Sequence, residues 1–483
     1  MDTAADRVAA EDTLLFVNAA ITSTGQREFH SGDGLQQWSI EFLHEYMRVN
    51  YRDLYAATLA LGVNDFNAAA IIAALLHSGR EATAAQRERE GRLIRVTLRR
   101  MAPQRVYRLF TALQREGVNN RRTRAVMREW LRGREHLAFE AVKYRAGFKR
   151  AVRHAHLAVD GFGGSEGAEL ERFLFAPMSV GRYATPLFET WRRAHFDRSA
   201  VFELPYTVAE GLAAKHRITR AEFLKRIEPR LTRGERLRLQ RSALRTGAGI
   251  AADEADLGRM PLTRLAAYVL ALPVPEREER RSELTGALRG AAARVAGDRA
   301  GTWGPVASVL DDSYSSSGSD EKRRRPLVVA LAVHFLLESL SGDYRPHWLS
   351  EREDALTVVP RGVTALGQGL LDGLEARPEL VVVVSDGWDN APAGMAAEVL
   401  RVWRERLDPD GATTVVHLNP VFDAAGLQVR SFDAATPTAG IRDAEDLPEL
   451  VAFARFAAGR AGLDELRSHI DARVERRLAE EDA

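Results

Sequence analysis

The sequence contains no cysteine, which excludes structural disulfides, thiolate metal sites and cysteine nucleophiles. Glycine and proline are not in excess, as in ordinary globular proteins. The longest apolar runs, such as residues 327–333, are far too short to cross a bilayer. Residues 1–6 lack the basic and apolar parts of a signal peptide. We therefore expect a soluble, cytoplasmic protein without a membrane partner.

Familiar catalytic motifs are scarce too. The chain has no Walker-type glycine-rich phosphate loop and no His-Glu-x-x-His pair. The histidines are scattered, and nothing in the sequence supplies a general base beside a nucleophile or a bound water. We expect a protein that is not an enzyme.

Basic residues are unevenly distributed along the chain. The 68 Lys and Arg residues nearly balance the 67 Asp and Glu residues, which leaves a net charge of +1. Between Arg87 and Arg153, 20 Lys or Arg residues stand against 6 Asp or Glu residues, a local net charge of +14 that leaves −13 for the rest. This concentration predicts a polyanionic partner for the region. The alternative is an arginine-rich face that only contacts solvent.

The amino-terminal part of the sequence has a helical pattern. At 483 residues the chain is long enough for two or three domains. From residue 11 to residue 295, apolar residues recur at helical spacing with short breaks, at one of which Asp65 is a candidate N-cap. Paired helices without a shared sequence repeat are typical of a HEAT-type α-solenoid, and an irregular multi-helix domain is the alternative. We assign residues 1–295 to this all-α domain and residues 296–301 to a linker.

The predicted helix over residues 137–156 is strongly amphipathic. Phe148 and Val152 lie on its apolar face, and basic side chains form a wide stripe beside it. Phosphates are natural partners of such a surface, because each neutralising contact releases counterions. An ordinary solvated face is the alternative, and His154 and His156 are expected at the surface. The candidate nucleic-acid contacts, two of them from another helix nearby, are Arg121, Arg122, Lys143, Arg145, Lys149, Arg150 and Arg153.

After the linker, strand-like and helical segments alternate. This alternation predicts a doubly wound parallel α/β sheet for residues 302–483. The predicted strands are residues 306–310, 380–384, 413–418 and 427–429. The predicted helices are residues 326–340, 366–374, 394–406 and 447–458, followed by a charged amphipathic helix at residues 463–481. Ligands of such sheets bind beyond the carboxyl ends of the strands.

Three predicted loops of this sheet carry oxygen-bearing side chains. An Asp-x-Ser-x-Ser sequence follows the first strand, a Gly-x-Thr turn precedes the second helix, and Ser-Asp-Gly follows the second strand. Mg²⁺ prefers oxygen ligands and keeps several waters, so a few such side chains suffice, and Mn²⁺ or Ca²⁺ are alternatives. An open coordination position would accept a carboxylate from a protein partner. The alternative is a flexible serine-rich loop and a site that binds no cation. The candidate ligands are Asp311, Ser313, Ser315, Thr364 and Asp386.

Residues 302–483 resemble the von Willebrand factor A domain and its metal-ion-dependent adhesion site, with all five ligand positions filled. In that family the matching residues hold a divalent cation, directly or through water. A helical region followed by such a domain is similar to the layout of the Ro autoantigen and other TROVE-module RNA-binding proteins. Residues 206–213 and 260–266 look like late helices of that module, whereas residues 31–38 do not match its glycine- and aromatic-rich amino-terminal signature.

The resemblance implies helical repeats that close into a ring, bind small structured RNAs on a basic outer surface and take single-stranded RNA ends into the hole. It favours a non-catalytic RNA-binding scaffold of a ribonucleoprotein, whose A domain binds a protein partner through the cation. The alternative is a metal-dependent adaptor without nucleic acid, for example one that recruits substrates to an AAA+ ATPase.

Overall fold

The computed structural model describes most of the chain and divides it into two compact units. One unit comprises Met1–Asn67 and Leu257–Ala479, and the other comprises Ala68–Asp256 with Glu480–Ala483. The first helices therefore belong with the carboxyl-terminal half, whereas the sequence predicts a division at residues 296–301. The described residues are 4–158, 164–179, 181–232, 234–236, 239, 257–448, 450–451 and 463–482.

The amino-terminal part is helical, as the sequence predicts. Side-chain caps mark several helix starts, including Thr83 before α5 and Asn120 before α7. In chain order these helices are α1 (Ala4–Thr22), α2 (Asp33–Asn50), α3 (Arg52–Ala57), α4 (Asp65–His77), α5 (Ala84–Arg100), α6 (Pro103–Arg115), α7 (Arg121–Arg132), α8 (Leu137–Lys143), α9 (Arg145–Ala155), α10 (Gly164–Phe175), α11 (Pro186–Arg193), α12 (Tyr206–Ala213) and α13 (Arg220–Ile227).

Further helices lie after the segment that the structure leaves out at residues 240–256. The helical pattern of the sequence also predicts a helix at residues 232–244, and most of this helix, like most of the one predicted at 447–458, lies outside the described residues. No helix that the structure describes has the length and hydrophobicity needed to cross a membrane. The remaining helices are α14 (Leu262–Ala271), α15 (Val274–Glu279), α16 (Arg281–Ala296), α17 (Arg325–Leu340), α18 (Leu366–Glu375), α19 (Met395–Val402) and α20 (Leu463–Asp482).

The basic segment at residues 137–156 forms two helices, so the prediction of one continuous helix is wrong. The chain leaves the helical conformation at Tyr144, which has φ −117° and ψ 27°. α9 packs closely on α6 at Gly147, where a Cβ atom would lie 2.9 Å from the Cβ of Tyr107. Because of the break at Tyr144, α9 does not continue in the direction of α8.

The predicted N-cap of α4 is also wrong by one residue. The side chain of Asn64, not Asp65, accepts the backbone N–H of Asn67 at 3.0 Å. The Asn64 amide also donates to the carbonyls of Ile21 and Ser23, at 3.1 and 2.7 Å. An amide can cap a helix and donate at the same time, which a carboxylate cannot do.

The carboxyl-terminal part contains a sheet of five parallel strands in the order β2-β1-β3-β4-β7. A separate antiparallel pair, β5 and β6, lies outside it. The strands are β1 (Trp303–Leu310), β2 (Ser341–Trp348), β3 (Leu380–Val384), β4 (Thr414–Asn419), β5 (Phe422–Asp423), β6 (Gln428–Val429) and β7 (Thr438–Gly440).

The three longest strand predictions are confirmed, as β1, β3 and β4. The prediction at residues 427–429 corresponds to β6, which is not part of the parallel sheet. The edge strands β2 and β7 were not predicted: β2 is mostly polar and half-exposed, and β7 has three residues. The helix predicted at residues 394–406 is α19 followed by a π-helical turn, Trp403–Leu407.

Helices cover both faces of the sheet, which explains the unbroken apolar run of β3. α17 packs on β1 and β2 on one face, and α14 and α16 pack against α17 from outside. On the other face, Leu370 of α18 and Leu400 of α19 join Val381 and Val383 of β3 in one core cluster.

Two amino-terminal helices complete this unit. Asn18 of α1 accepts the N–H of Gly440 in β7 at 2.9 Å. On α2, Ser39 donates to the carbonyl of Ala424 at 2.8 Å, and Gln36 donates to that of Phe422 at 2.9 Å. These contacts bring the loop between α1 and α2 to the edge of the sheet where the strands end.

Candidate metal site

The strand order reverses between β1 and β3. After β1 the chain first forms β2 on one side of it and then returns to form β3 on the other side. In open parallel sheets this switch point is where a crevice forms beyond the strand ends. Asp311 follows β1 and Asp386 lies two residues after the last residue of β3. The N–H of Asp311 donates to the carbonyl of Val384 at 3.0 Å, which joins the two strand ends.

All five candidate ligands lie in this crevice and are buried, each at most 9% exposed. Asp311 Oδ1 accepts the N–H of Ser313 at 2.8 Å. The hydroxyl of Ser313 lies 3.3 Å from that of Ser315 and accepts a hydrogen bond from the Thr364 hydroxyl at 3.0 Å. The structure therefore brings together the first and second of the three predicted loops through their side chains.

The third loop is joined to the second by Asn390, which the sequence analysis did not single out. Its side-chain oxygen accepts the N–H of Thr364 at 3.2 Å, and its own N–H donates to the Thr364 carbonyl at 3.2 Å. The signal available in the sequence is the polar run Asp386 to Asn390, which follows a fully apolar strand. This reciprocal pair holds Thr364 beside the loop that carries Asp386.

Electrostatics at the site favour a bound cation. Burial, and then repulsion by the nearby Asp386 carboxylate, raise the pKa of Asp311 to about 7. Asp311 and Asp386 are both 4% exposed, so two carboxylates share a space with little water. A divalent cation would relieve this repulsion, and the hydroxyls of Ser313, Ser315 and Thr364 are the neutral oxygen ligands that Mg²⁺ accepts.

The donor set therefore fits a hard cation. Within the described residues, no group of three or more His, Asp or Glu side chains could hold a metal ion without other ligands. The hydroxyl groups and water would have to supply the remaining positions, as Mg²⁺ allows. When bound, the cation would supply a Lewis-acidic position for an external oxygen ligand.

Two neighbours of the ligands have structural roles. Ser385, beside Asp386, lies 3.0 Å from Nε2 of His417, and its hydroxyl accepts the N–H of Gly387 at 3.1 Å. Ser385 and His417 are at most 1% exposed, so this hydroxyl–imidazole pair fixes the chain after β3. Asp312 is fully buried, and it accepts the N–H of Ser350 at 3.0 Å.

The loop between α1 and α2 contacts the site through two residues that the sequence analysis missed. His30 Nε2 lies 3.4 Å from Asp386 Oδ2, and the His30 ring packs on Trp388 with centroids 4.7 Å apart. Phe29 packs edge-on against Tyr314, the residue between Ser313 and Ser315, at 5.8 Å. No local signal could have found His30, because it is 356 residues from Asp386 in the chain.

Among the described residues, two of the seven candidate nucleic-acid contacts, Arg122 and Arg145, have hydrogen-bond or ion-pair partners. Arg122 pairs with Glu90 at 2.8 Å, and Arg145 donates to the carbonyls of Phe173 and Leu174 at the end of α10. Burial lowers the pKa of Arg145, as expected for a cation that has left water. These two side chains stabilise the helical unit.

The other five candidates are exposed or half-exposed. Arg121, Arg150 and Arg153 are exposed, and Lys143 and Lys149 are half-buried. Partial desolvation, followed by the nearby cations Arg153 and Arg145, lowers the pKa of Lys149.

Aromatic rings support several of these cations. The charged groups of Lys149 and Arg153 lie 5.5 and 5.1 Å from the ring centroid of Phe175, and that of Lys143 lies 5.2 Å from the ring of Phe139. α7 and α9 pack together, and Arg128 of α7 donates to the carbonyl of Ala155 at 2.7 Å, so both helices belong to one surface.

The expectation that His154 is a surface residue is wrong. His154 is 6% exposed, and its Nε2 lies 3.0 Å from the carbonyl oxygen of Val118. His156, which ends α9 with a positive φ of 48°, is exposed as predicted. The two rings differ because His154 lies within α9 on its packed side, whereas His156 follows the helix in a left-handed conformation.

Comparison with known proteins adds no relative to this description. No protein-family model matches the chain, and no curated protein is similar enough to match it.

Proposed function

We propose that this protein is a non-catalytic scaffold that binds a protein partner through a divalent cation held at the carboxyl ends of β1 and β3. The single observation that carries the proposal is the convergence of the two aspartates and three hydroxyl residues at the switch point of the sheet. The α/β part would then be a von Willebrand factor A-type domain with an adhesion site, and Mg²⁺ the most fitting cation.

Partner binding fits this site better than catalysis does. Asp311 and Asp386 are the acidic candidate ligands of the cluster, and a bound divalent cation would keep both deprotonated and occupied, so that neither would be left to act as a general acid. Of the two histidines near the ligands, His417 is fully buried and hydrogen-bonded within the fold, so it has no access to a substrate, and His30 lies against Asp386 Oδ2, a candidate ligand oxygen. A coordination position that the protein leaves open would accept a carboxylate of the partner.

Titration with Mg²⁺, Mn²⁺ or Ca²⁺ alone, followed by calorimetry, tests the cation site. Asp311→Ala should weaken binding by roughly 100-fold or more, because even groups behind the ligands change metal affinity by about 10–100-fold. Asp320→Ala is the matched control, since Asp320 is an exposed aspartate nearby in the chain that contacts none of the candidate ligands in the described residues. Equal cation affinity in Asp311→Ala and the wild type, with circular dichroism unchanged, would reject the site.

RNA binding is the second part of the proposal, and the helical unit carries it. The local net charge of +14 between Arg87 and Arg153 is concentrated there, and Arg150 and Arg153 expose their charges beside each other on α9. Contacts of this kind hold phosphates and give affinity with little sequence choice. A HEAT-like arrangement closed into a ring, as in TROVE-module proteins, is the architecture that the proposal implies for these helices.

Filter binding with a small structured RNA and with a single-stranded RNA at low ionic strength tests this second part. We expect affinity that falls steeply with salt, because phosphate contacts release counterions. No salt-dependent affinity for either RNA would leave the alternative, an adaptor without nucleic acid that uses the same cation site, for example with an AAA+ ATPase.

A further inference from the structure

The loop between α1 and α2, residues 23–32, is fastened beside the candidate metal site by several polar contacts. Glu28, which is 3% exposed, forms an ion pair with Lys322. The N–H of Arg27 donates to Glu321 at 3.1 Å, and the Arg27 carbonyl accepts the hydroxyl of Ser319 at 2.7 Å. None of these anchoring contacts involves a candidate ligand of the cation.

The tip of the loop, Phe29 and His30, lies beside the candidate ligands and contacts one of them, Asp386. Phe29 contacts Tyr314, and His30 contacts Trp388 and Asp386. Phe29 is 39% exposed, and the side chain of His30 is 34% exposed. Both residues therefore pack at the rim and not in the core. The tip can therefore leave the site while the contacts of Arg27 and Glu28 persist.

His30 contacts the oxygen of the Asp386 carboxylate at which a cation would bind. Asp386 Oδ1 accepts the N–H of Trp388 at 3.1 Å, so Oδ2 is the oxygen on which a cation would bind. His30 Nε2 lies 3.4 Å from that Oδ2, and in the tautomer with a proton on Nε2 it points an N–H at this atom. Oδ2 has two lone pairs, but an N–H dipole and a divalent cation repel each other at one oxygen, so binding of the cation and the His30 contact weaken one another.

We propose that the His30 tip is a built-in cover of the cation site, which the cation and then the partner displace. The inference rests on the cation site proposed above. Displacement exposes more of the ring of Trp388, beside Tyr314, which is already 65% exposed. The partner that fits the opened site therefore presents a carboxylate next to an apolar side chain, in place of His30 and Phe29.

Mn²⁺ titration of the wild type and His30→Ala by calorimetry is the first test. Loss of one competing polar contact should tighten Mn²⁺ binding by about 3- to 10-fold. His77→Ala, which removes an exposed histidine of α4, is the control and should bind as the wild type does. Weaker binding by His30→Ala would show that the imidazole is a ligand, and unchanged binding would show that it does not compete; either result overturns the proposal.

A label on the loop gives a second measurement that does not depend on the affinity of His30→Ala. The chain has no cysteine, and a Cβ at Gly32 would meet no atom within 4 Å, so Gly32→Cys introduces one thiol without a clash. An environment-sensitive fluorophore on this thiol should change its emission when Mg²⁺, which does not itself quench fluorescence, saturates the site. The same label combined with Asp311→Ala should not respond.

The two proposals fail in distinguishable ways. If the wild type binds no divalent cation, the proposed function is wrong. If the wild type binds Mn²⁺ through Asp311 but the label stays silent and His30→Ala does not bind more tightly, only the cover is wrong.

Discussion

Gly387 is the position where backbone geometry and the candidate metal site depend on each other most directly. It follows Asp386 and has φ +79°, a conformation that costs a residue with a Cβ about 1–2 kcal/mol. A Cβ at this position would lie 2.3 Å from the carbonyl oxygen of Arg430, which belongs to the backbone and cannot rotate away. Forcing such a contact costs about 1–3 kcal/mol more.

Gly387→Ala should therefore reduce the free energy of unfolding by about 2–5 kcal/mol. Gly394→Ala is the matched control, because Gly394 has nearly the same φ, +80°, but no atom within 4 Å of an added Cβ. Gly394 is also the N-cap of α19, where alanine is less favourable than glycine. The stability that Gly394→Ala loses is therefore an upper value for the cost of the positive φ. The difference between the two variants isolates the clash with Arg430.

The assays are urea unfolding for stability and Mn²⁺ calorimetry for the site. Relief of the clash must move residues 386–388, so Gly387→Ala should also weaken Mn²⁺ binding by about 10-fold or more. Gly394→Ala should keep the wild-type affinity for Mn²⁺. The reasoning would be refuted if both variants lost the same stability, or if Gly387→Ala kept full cation affinity despite its destabilisation.

Two further predictions concern the helical surface and pH. The double variant Arg150→Glu and Arg153→Glu should lower RNA affinity and the slope of its salt dependence in filter binding, whereas Arg122→Glu should mainly lower stability, since Arg122 pairs with Glu90. An unchanged salt slope in the double variant would remove α9 from the RNA surface. For pH, burial lowers the pKa of His44 to about 4, and its ring nitrogens lie 2.8 Å from the Tyr55 hydroxyl and 2.9 Å from Asn67 Oδ1. The unfolded chain binds this proton below a pH of about 6.5, and the folded chain binds it only near its lowered pKa, so stability should fall by about 3 kcal/mol as the pH drops between those values. In His44→Gln, urea unfolding at several pH values should show a pH dependence smaller by about one proton; an unchanged dependence would contradict the assignment.

The sequence alone was sufficient to predict the parallel sheet and the meeting of its oxygen-bearing loops at one edge. β3 is an uninterrupted apolar run because helices cover both faces of the sheet, and such runs are readable without a structure. Asp311 and Asp386 stand one and two residues after β1 and β3, and parallel strands end at a common edge. Local spacing and one topological rule therefore predicted that these side chains meet.

Edge strands and side-chain partners were less accessible to sequence reasoning. β2 combines polar residues with Pro346 and is half-exposed, so it shows neither the apolar run nor the alternation of a typical strand. Arg145 and Arg150 are equally basic in the sequence, yet the first donates to the carbonyls at the end of α10 and the second is exposed. Which cation remains available to a ligand depends on where α10 packs.

The amino-acid sequence by itself determined the helical first half, the strands of the central sheet and the oxygen-rich loops beyond them, because each depends on neighbours a few residues apart. Only the tertiary structure decided that the first 67 residues pack with the sheet and that His30 lies against Asp386. That contact joins residues 356 positions apart. It exists because α1 and α2 pack against β7 and the β5–β6 pair, and no local pattern encodes such a meeting.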